Sequence, residues 1–401
     1  MILRFVVSFI AIQLVAVAGG LFAFKQHKNK RTLLYTGLSV LYLNSAYLFL
    51  FSPIVDSHQA KTIIDCLIMY PFFAYMLACI VLSPFFILSG AIVLLIKFFS
   101  RMKQQKNDPE QSSAFDDGRR GFMKMFTAAL VVPMAGSSLY GSYIGKNRLE
   151  VEKSDLVFHD LPEALEGFTI AQISDIHVGP FMDKETLKGI IQQVNGLSPD
   201  LVVITGDIIN WGSSYIDEAA QSLSGLKARR GVFAVLGNHD FYCDTDAFCR
   251  ALENAGVQML RNTRAIIGGK GSDSQLHLIG IDDPGGSWYA NNHFPCLEKA
   301  LRGIPQKSFK VLLSHRPNVF EHAARENIQL TLAGHTHGGQ VILPDSNGHG
   351  WSLARIAHEH DYGLYRQNGS CLYVNRGLGV VGPPVRINCP REITRIMLRR
   401  S

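Results

Sequence analysis

Phe168-Thr169-Ile170-Ala171-Gln172-Ile173-Ser174-Asp175-Ile176-His177 reads as a short apolar strand that ends in a carboxylate and an imidazole two residues apart. Alternate residues on extended chain project to one side, so Asp175 and His177 can face a common point. The pattern recurs downstream. The apolar run Leu201–Thr205 is followed by Gly206-Asp207, and Val232–Leu236 by Gly237-Asn238-His239-Asp240. Lys310–Leu313 is followed by Ser314-His315, and Ile328–Leu332 by Gly334-His335-Thr336-His337. These runs bring metal-binding side chains to one edge of a sheet, where sites form in open α/β proteins. Singly, each piece has a plainer reading: Gly-Asp is a routine turn, and a lone His after a strand is usually a hydrogen-bonded structural residue. Five in succession, all at strand ends, leave that reading little room.

Helical spacing fills the intervals. Lys184–Asn195, Asp217–Leu226, Asp246–Ala255 and Pro317–Glu326 are expected helices. Asp217 stands in a first turn, where the helix dipole favours an acid. Strands alternating with helices argue for an α/β domain. Mixed oxygen and imidazole donors suit Mn, Fe or Zn better than an all-oxygen Mg site. Two such ions can clamp an in-line displacement at phosphorus. Asp207, the only carboxylate at its strand end, has the two oxygens a bridging ligand needs.

The ordered set Asp-x-His, Gly-Asp, Gly-Asn-His-Asp, His and Gly-His-x-His resembles the calcineurin-like metallophosphoesterase family. The resemblance runs from about Phe168 to Leu398. It implies a sandwich of two mixed β-sheets flanked by helices. It also implies that Asp175, His177 and His337 hold one divalent ion, that Asn238, His315 and His335 hold another, and that Asp207 bridges them. His239 would protonate the leaving group, with Asp240 orienting it, after a hydroxide held between the ions attacks phosphorus. Family members often carry Gly-Asp-x-x-Asp, whereas this chain has Asn210 at the last position. The tail motifs Tyr362–Tyr365, Asn375–Gly379 and Pro390–Thr394 are similar to a membrane-associated bacterial branch, some of whose members carry twin-arginine signals.

Upstream, the composition changes. Residues 1–100 are almost continuously apolar, and a spanning helix needs about 20 such residues. Ile2–Phe24, Leu33–Val55 and Cys66–Phe99 read as about three transmembrane helices, the last kinked at Pro84 or folded as a hairpin. Residues 101–121 read as a polar linker containing Arg119-Arg120. Residues 122–145 hold a fourth span, Met125–Ile144, and 150–401 the phosphoesterase domain. Lys and Arg in the first and third loops place those loops in the cytoplasm. The expectation is therefore an all-α transmembrane region ahead of the α/β domain, in an integral protein of the bacterial cytoplasmic membrane. Its catalytic domain would be extracytoplasmic, or cytoplasmic if Cys66–Phe99 is a hairpin. Gly118–Lys124 resembles an internal twin-arginine export signal; a pair of flanking arginines is the plainer reading.

The formal net charge of +6 admits a nucleic-acid partner, but no arginine-rich stripe supports one. Seven cysteines occur without a CxxC, which argues against zinc ribbons and thioredoxin-type sites. Cys243 and Cys249 could pair in an oxidising compartment or serve as small buried hydrophobes. Membrane proximity points to a phosphodiester or pyrophosphate substrate in lipid-linked form, with membrane lipids as partners. Arg316, Arg376 and Arg386 are candidate phosphate binders. The loop Pro344–Tyr365, with His349, Trp351, His358 and His360, is a candidate pocket wall. The alternative is a catalytically weak metal-binding receptor or scaffold, which would show an eroded ligand set.

Overall fold

The computed structural model describes residues 136–137, 139–268, 275–284, 294–345, 349–382 and 384–401. Period-2 alternation organises what is described. In β3 (Leu201–Thr205), Leu201 and Val203 face one apolar cluster while Val202 and Ile204 face another. A strand buried on both faces has to be apolar throughout, as this one is.

Around it the first sheet takes in β1 (Leu149–Phe158), β2 (Thr169–Ile173), β4 (Val232–Val235), β5 (Val257–Met259) and β14 (Arg391–Arg400), in the order β1-β14-β2-β3-β4-β5. β2 through β5 run parallel, whereas β14 is antiparallel to β2 and parallel to β1. The second sheet comprises β6 (Thr263–Gly268), β7 (Gln275–Gly280), β8 (Phe309–Leu313), β9 (Leu330–Ala333), β12 (Gly363–Gln367) and β13 (Ser370–Val374), ordered β12-β13-β9-β8-β7-β6. Its outer pairings are antiparallel and its inner ones parallel, so both sheets are mixed. A small hairpin pairs β10 (Ile342–Leu343) with β11 (Trp351–Ser352).

The sheets face each other across Ile170, Leu201, Val203, Phe233, Leu278, Phe309, Val311 and Leu332. Helices α1 (Lys184–Gly196), α2 (Ile216–Leu223) and α3 (Thr245–Asn254) cover the other face of the first sheet through Leu187, Ile190, Leu223, Phe248 and Leu252. Helices α4 (Phe294–Leu301) and α5 (Phe320–Arg325) cover the second sheet through Leu297 and Ala323. The result is the expected α/β sandwich of two mixed sheets. Capping fixes the helix starts: the Asp183 carboxylate accepts from Thr186 N at 2.8 Å, and Asp244 from Ala247 N at 3.0 Å. The expected helix over Pro317–Glu326 is instead a 3-10 turn, Pro317–Val319, followed by α5.

One expectation is corrected. Among the described residues no helix is long and apolar enough to cross a membrane. The integral-membrane placement with an extracytoplasmic catalytic domain is therefore withdrawn; the expected all-α transmembrane region falls on residues outside those described. Ile2–Phe24, Leu33–Val55, Cys66–Phe99, the 101–121 linker and most of Met125–Ile144 lie outside the described residues. Residues 139–143 are helical, and the chain leaves the helix at Ile144.

Candidate metal centre

Each strand end turns sharply. Asp175, His177, Asp207, His335 and His337 all have positive φ, from 48° to 72°. Left-handed backbone costs a non-glycine residue on the order of 1–3 kcal/mol and clusters at functional sites. The turns brace one another: Asp175 N donates to Gly206 O at 3.0 Å, and His177 N to Asp207 O at 3.0 Å. Close packing demands glycine at two points. A Cβ on Gly334 would lie 2.0 Å from Ser174 Oγ and 2.2 Å from Asp175 Oδ2. A Cβ on Gly237 would lie 2.2 Å from Asp207 Oδ1.

The donors converge around Asp207. Its Oδ2 lies 3.5 Å from His177 Nε2 and 3.2 Å from His315 Nε2, between the two halves of the site. On one side, His337 Nε2 is 3.1 Å from His177 Nε2 and 3.3 Å from Asp175 Oδ1. On the other, His335 Nδ1 is 3.1 Å from His315 Nε2. The groups Asp175/His177/His337, His177/Asp207/His239 and Asp207/His315/His335 each have ligand atoms within 4.8 Å of one another. Asn238 Oδ1 is buried with no hydrogen-bond partner. His315 Nδ1 donates to Thr205 O at 2.8 Å, since a carbonyl can only accept; Nε2 is thereby turned toward Asp207. Facing imidazole nitrogens, a central carboxylate and an orphaned amide oxygen fit divalent cations well.

Burial dominates the electrostatics. It holds His335 and His337 well below the ordinary imidazole range and takes His177 down to about 3. These rings are neutral, the form that binds metals. Burial pushes Asp175 up to about 6, against the charge of His315. Burial also works to raise Asp207 and lower His315, but their mutual attraction overrides it. Asp207 is held well below the usual carboxylate range, and His315 is raised to about 10.

The next shell departs from expectation. The Asp240 carboxylate makes no hydrogen bond to the His239 ring. Its Oδ1 accepts from Ile208 N at 2.9 Å and Ile209 N at 3.1 Å, and its Oδ2 from Gly237 N at 2.8 Å. In the 3-10 turn His239–Tyr242, successive side chains point about 120° apart, so these neighbours diverge. The His239 ring is held instead by the Asn210 carbonyl, 2.6 Å from Nδ1. Since that carbonyl accepts, Nδ1 carries a proton and Nε2 is left for exchange. The acid-to-amide change at position 210 leaves this backbone contact intact.

Of the candidate arginines, Arg376 is taken up by Glu392 at 2.5 Å and Glu152 at 2.6 Å. Arg386, fully buried, donates to the carbonyls of Gly379 at 2.7 Å and Arg376 at 2.8 Å. Both brace the fold rather than face substrate. Arg316 lines a cleft of about 290 Å³ with Asp207, Asn238, His239, Tyr242, His335 and His358. Of the histidines in the loop expected as a wall, His358 lines the cleft. His349 stacks on Tyr362 at 4.4 Å, and His360 lies against Phe320 and Tyr365. Tyr242 is a lining residue that sequence reasoning missed, since it carries no motif, whereas Leu353 belongs to the loop expected as a wall. Cys243 and Cys249 are unpaired with each other.

This fold and donor set define a metal-dependent class of phosphoester hydrolases. Residues 168–339 match the calcineurin-like phosphoesterase family. A metallophosphoesterase of Bacillus subtilis (strain 168) is 31% identical over 293 residues, covering 71% of this chain and 98% of its own length. A Danio rerio protein described as a transmembrane protein with metallophosphoesterase domain is 32% identical over 294 residues, 70% of this chain and 64% of that relative. The chain thus spans less than two thirds of the Danio rerio protein's length. A solved dimetal phosphatase from Danio rerio aligns at 13% identity over 58% of this chain and 93% of its own, with a TM-score of 0.32. The chain belongs to the calcineurin-like metallophosphoesterase family, whose fold binds two divalent metal ions.

Proposed function

We propose that the chain is a dinuclear metal-dependent hydrolase of phosphodiester or pyrophosphate bonds. Asp175, His177 and His337 would hold one ion and Asn238, His315 and His335 the other, with Asp207 shared. The observation that carries this reading is the placement of Asp207 Oδ2 between His177 Nε2 and His315 Nε2. When bound, such ions supply an activated water and stabilise charge on the phosphoryl oxygens.

The chain's own groups do the rest. Asp207 Oδ1 accepts from His239 N at 2.8 Å, which ties the bridging carboxylate to the acid's backbone. The Asn210 carbonyl fixes the His239 ring by Nδ1, so Nε2 presents the proton to the departing oxygen. The ring meets His177 edge-on at 4.7 Å, which keeps the acid beside the ligand cluster. Asp240 holds Ile208, Ile209 and Gly237 in place and so sets the position of both Asp207 and His239.

Exposed apolar side chains flank the cleft. Trp211, 52% exposed, lies 4.6 Å from Tyr242, and Ile356, 75% exposed, shares a turn with the lining residue Leu353. They support a substrate with an apolar part, such as a lipid-linked phosphoester.

The test is hydrolysis of bis(p-nitrophenyl) phosphate by purified protein with manganese, after chelation, and after manganese is returned. Metal-dependent, reversible turnover is expected. Turnover that survives chelation, or none with any of Mn, Fe or Zn, would overturn the reading.

A further inference from the structure

Arg316 is 3% exposed yet lines the cleft. Its Nε donates to Asp283 Oδ2 at 2.6 Å and its Nη2 to Asp283 Oδ1 at 3.3 Å. That two-point pairing fixes the plane of a guanidinium, a group whose donor fork matches phosphate oxygens. Asp283 follows β7, and Arg316 follows β8, so adjacent parallel strands hold the pair at the same sheet edge as the metal donors. Arg316 adjoins His315, whose Nε2 lies 3.1 Å from His335 Nδ1, and the His358 ring meets that of His335 at 5.4 Å. His239, by contrast, contacts His177, on the other side of Asp207. The cleft therefore has two ends, a proton donor at one and an oriented guanidinium at the other.

We propose that Arg316, with its plane set by Asp283, grips a non-bridging oxygen of the phosphoryl group being transferred, on the side away from the leaving group. The inference rests on the hydrolase reading above. It gives Arg316 a role separable from that of His239. A group on the leaving side matters more as the leaving group worsens. A group on the retained side weakens transfer by one factor whatever departs. The phosphomonoester left by diester cleavage keeps the gripped oxygen, so its binding, and that of inorganic phosphate as its simplest analogue, must weaken as well.

The experiment uses the manganese-loaded full chain, with Arg316→Gln and Arg316→Lys. Rates are measured on aryl phosphodiesters spanning leaving-group pKa, and inorganic phosphate binding is followed by calorimetry. Arg316→Gln should lower kcat/KM by about 10- to 100-fold, the range of one charge-assisted hydrogen bond. The loss should be equal across the series, and phosphate binding should weaken by a similar factor with metal content unchanged. Arg316→Lys, which keeps charge but loses the fork, should recover part of both losses. The proposal is overturned by unchanged phosphate binding, by a loss that grows with leaving-group pKa, or by metal loss in both variants. If the wild-type chain shows no metal-dependent hydrolysis, the hydrolase reading itself fails, which is a different result.

Discussion

Gly237→Ala adds one methyl group beside the bridging ligand. The new Cβ would lie 2.2 Å from Asp207 Oδ1, 2.4 Å from Asp207 N and 2.8 Å from Asp207 Cγ. Ordinary carbon–heteroatom contact begins near 3.4 Å, so the carboxylate or its strand end must move by about 1 Å. The Gly237 amide hydrogen bond to Asp240 is retained in principle, since alanine keeps its N–H. Overpacking of this kind costs about 1–3 kcal/mol of stability. A misplacement of about 1 Å at a reacting centre costs roughly 100-fold in rate. Asp207 lies between both donor clusters, so metal content should fall as well. The assay is elemental analysis after dialysis, with kcat/KM on bis(p-nitrophenyl) phosphate. Gly189→Ala serves as control: it lies in α1, with nothing within 4 Å of its Cβ, and should leave activity unchanged. Gly237→Ala protein that keeps full metal content and activity within about threefold would refute the geometric reasoning.

Other predictions follow from the same contacts. His239→Ala should retain both metals yet lose about 10²–10⁴-fold on alkyl esters, with a smaller loss on p-nitrophenyl esters; equal rates on alkyl esters would remove its role as acid. Asp240→Ala strands the amides of Ile208, Ile209 and Gly237, each costing about 1–3 kcal/mol, so a thermal melt should show Tm lower by about 5 °C or more. Metal loading should release roughly one proton near pH 8, because His315, raised to about 10, must become neutral to bind. Loading should weaken as pH falls through about 6, where Asp175 takes up a proton. Calorimetry in buffers of different ionisation enthalpy reads both effects, and the absence of proton release at pH 8 would contradict the charged state of His315.

The parts legible in sequence were those set by short-range pattern. Leu201–Thr205 emerged with the expected bounds because a strand buried on both faces is apolar throughout and stops at glycine. What escaped were long-range and conformational features. β1 and β14 form a ten-residue parallel ladder between Leu149–Phe158 and Arg391–Arg400, segments rich in charge and more than 230 residues apart. No local period announces such a pairing. The left-handed backbone at Asp175, His177, Asp207, His335 and His337 was equally hidden, since none of these is the glycine that such φ values usually call for. Adjacency misled at Asp240: a sequence neighbour of His239 looks like its partner, but the tight turn sends the two side chains apart. The arginines could be sorted only by their acceptors. Arg376 and Arg386 find theirs inside the fold, and Arg316 is held at the cleft.

The most direct test of a dinuclear centre is anomalous diffraction from crystals grown with manganese. Two peaks about 3.5–4 Å apart are expected, one beside Asp175, His177 and His337, the other beside Asn238, His315 and His335, with Asp207 touching both. A single peak, or two that do not share Asp207, would contradict the account.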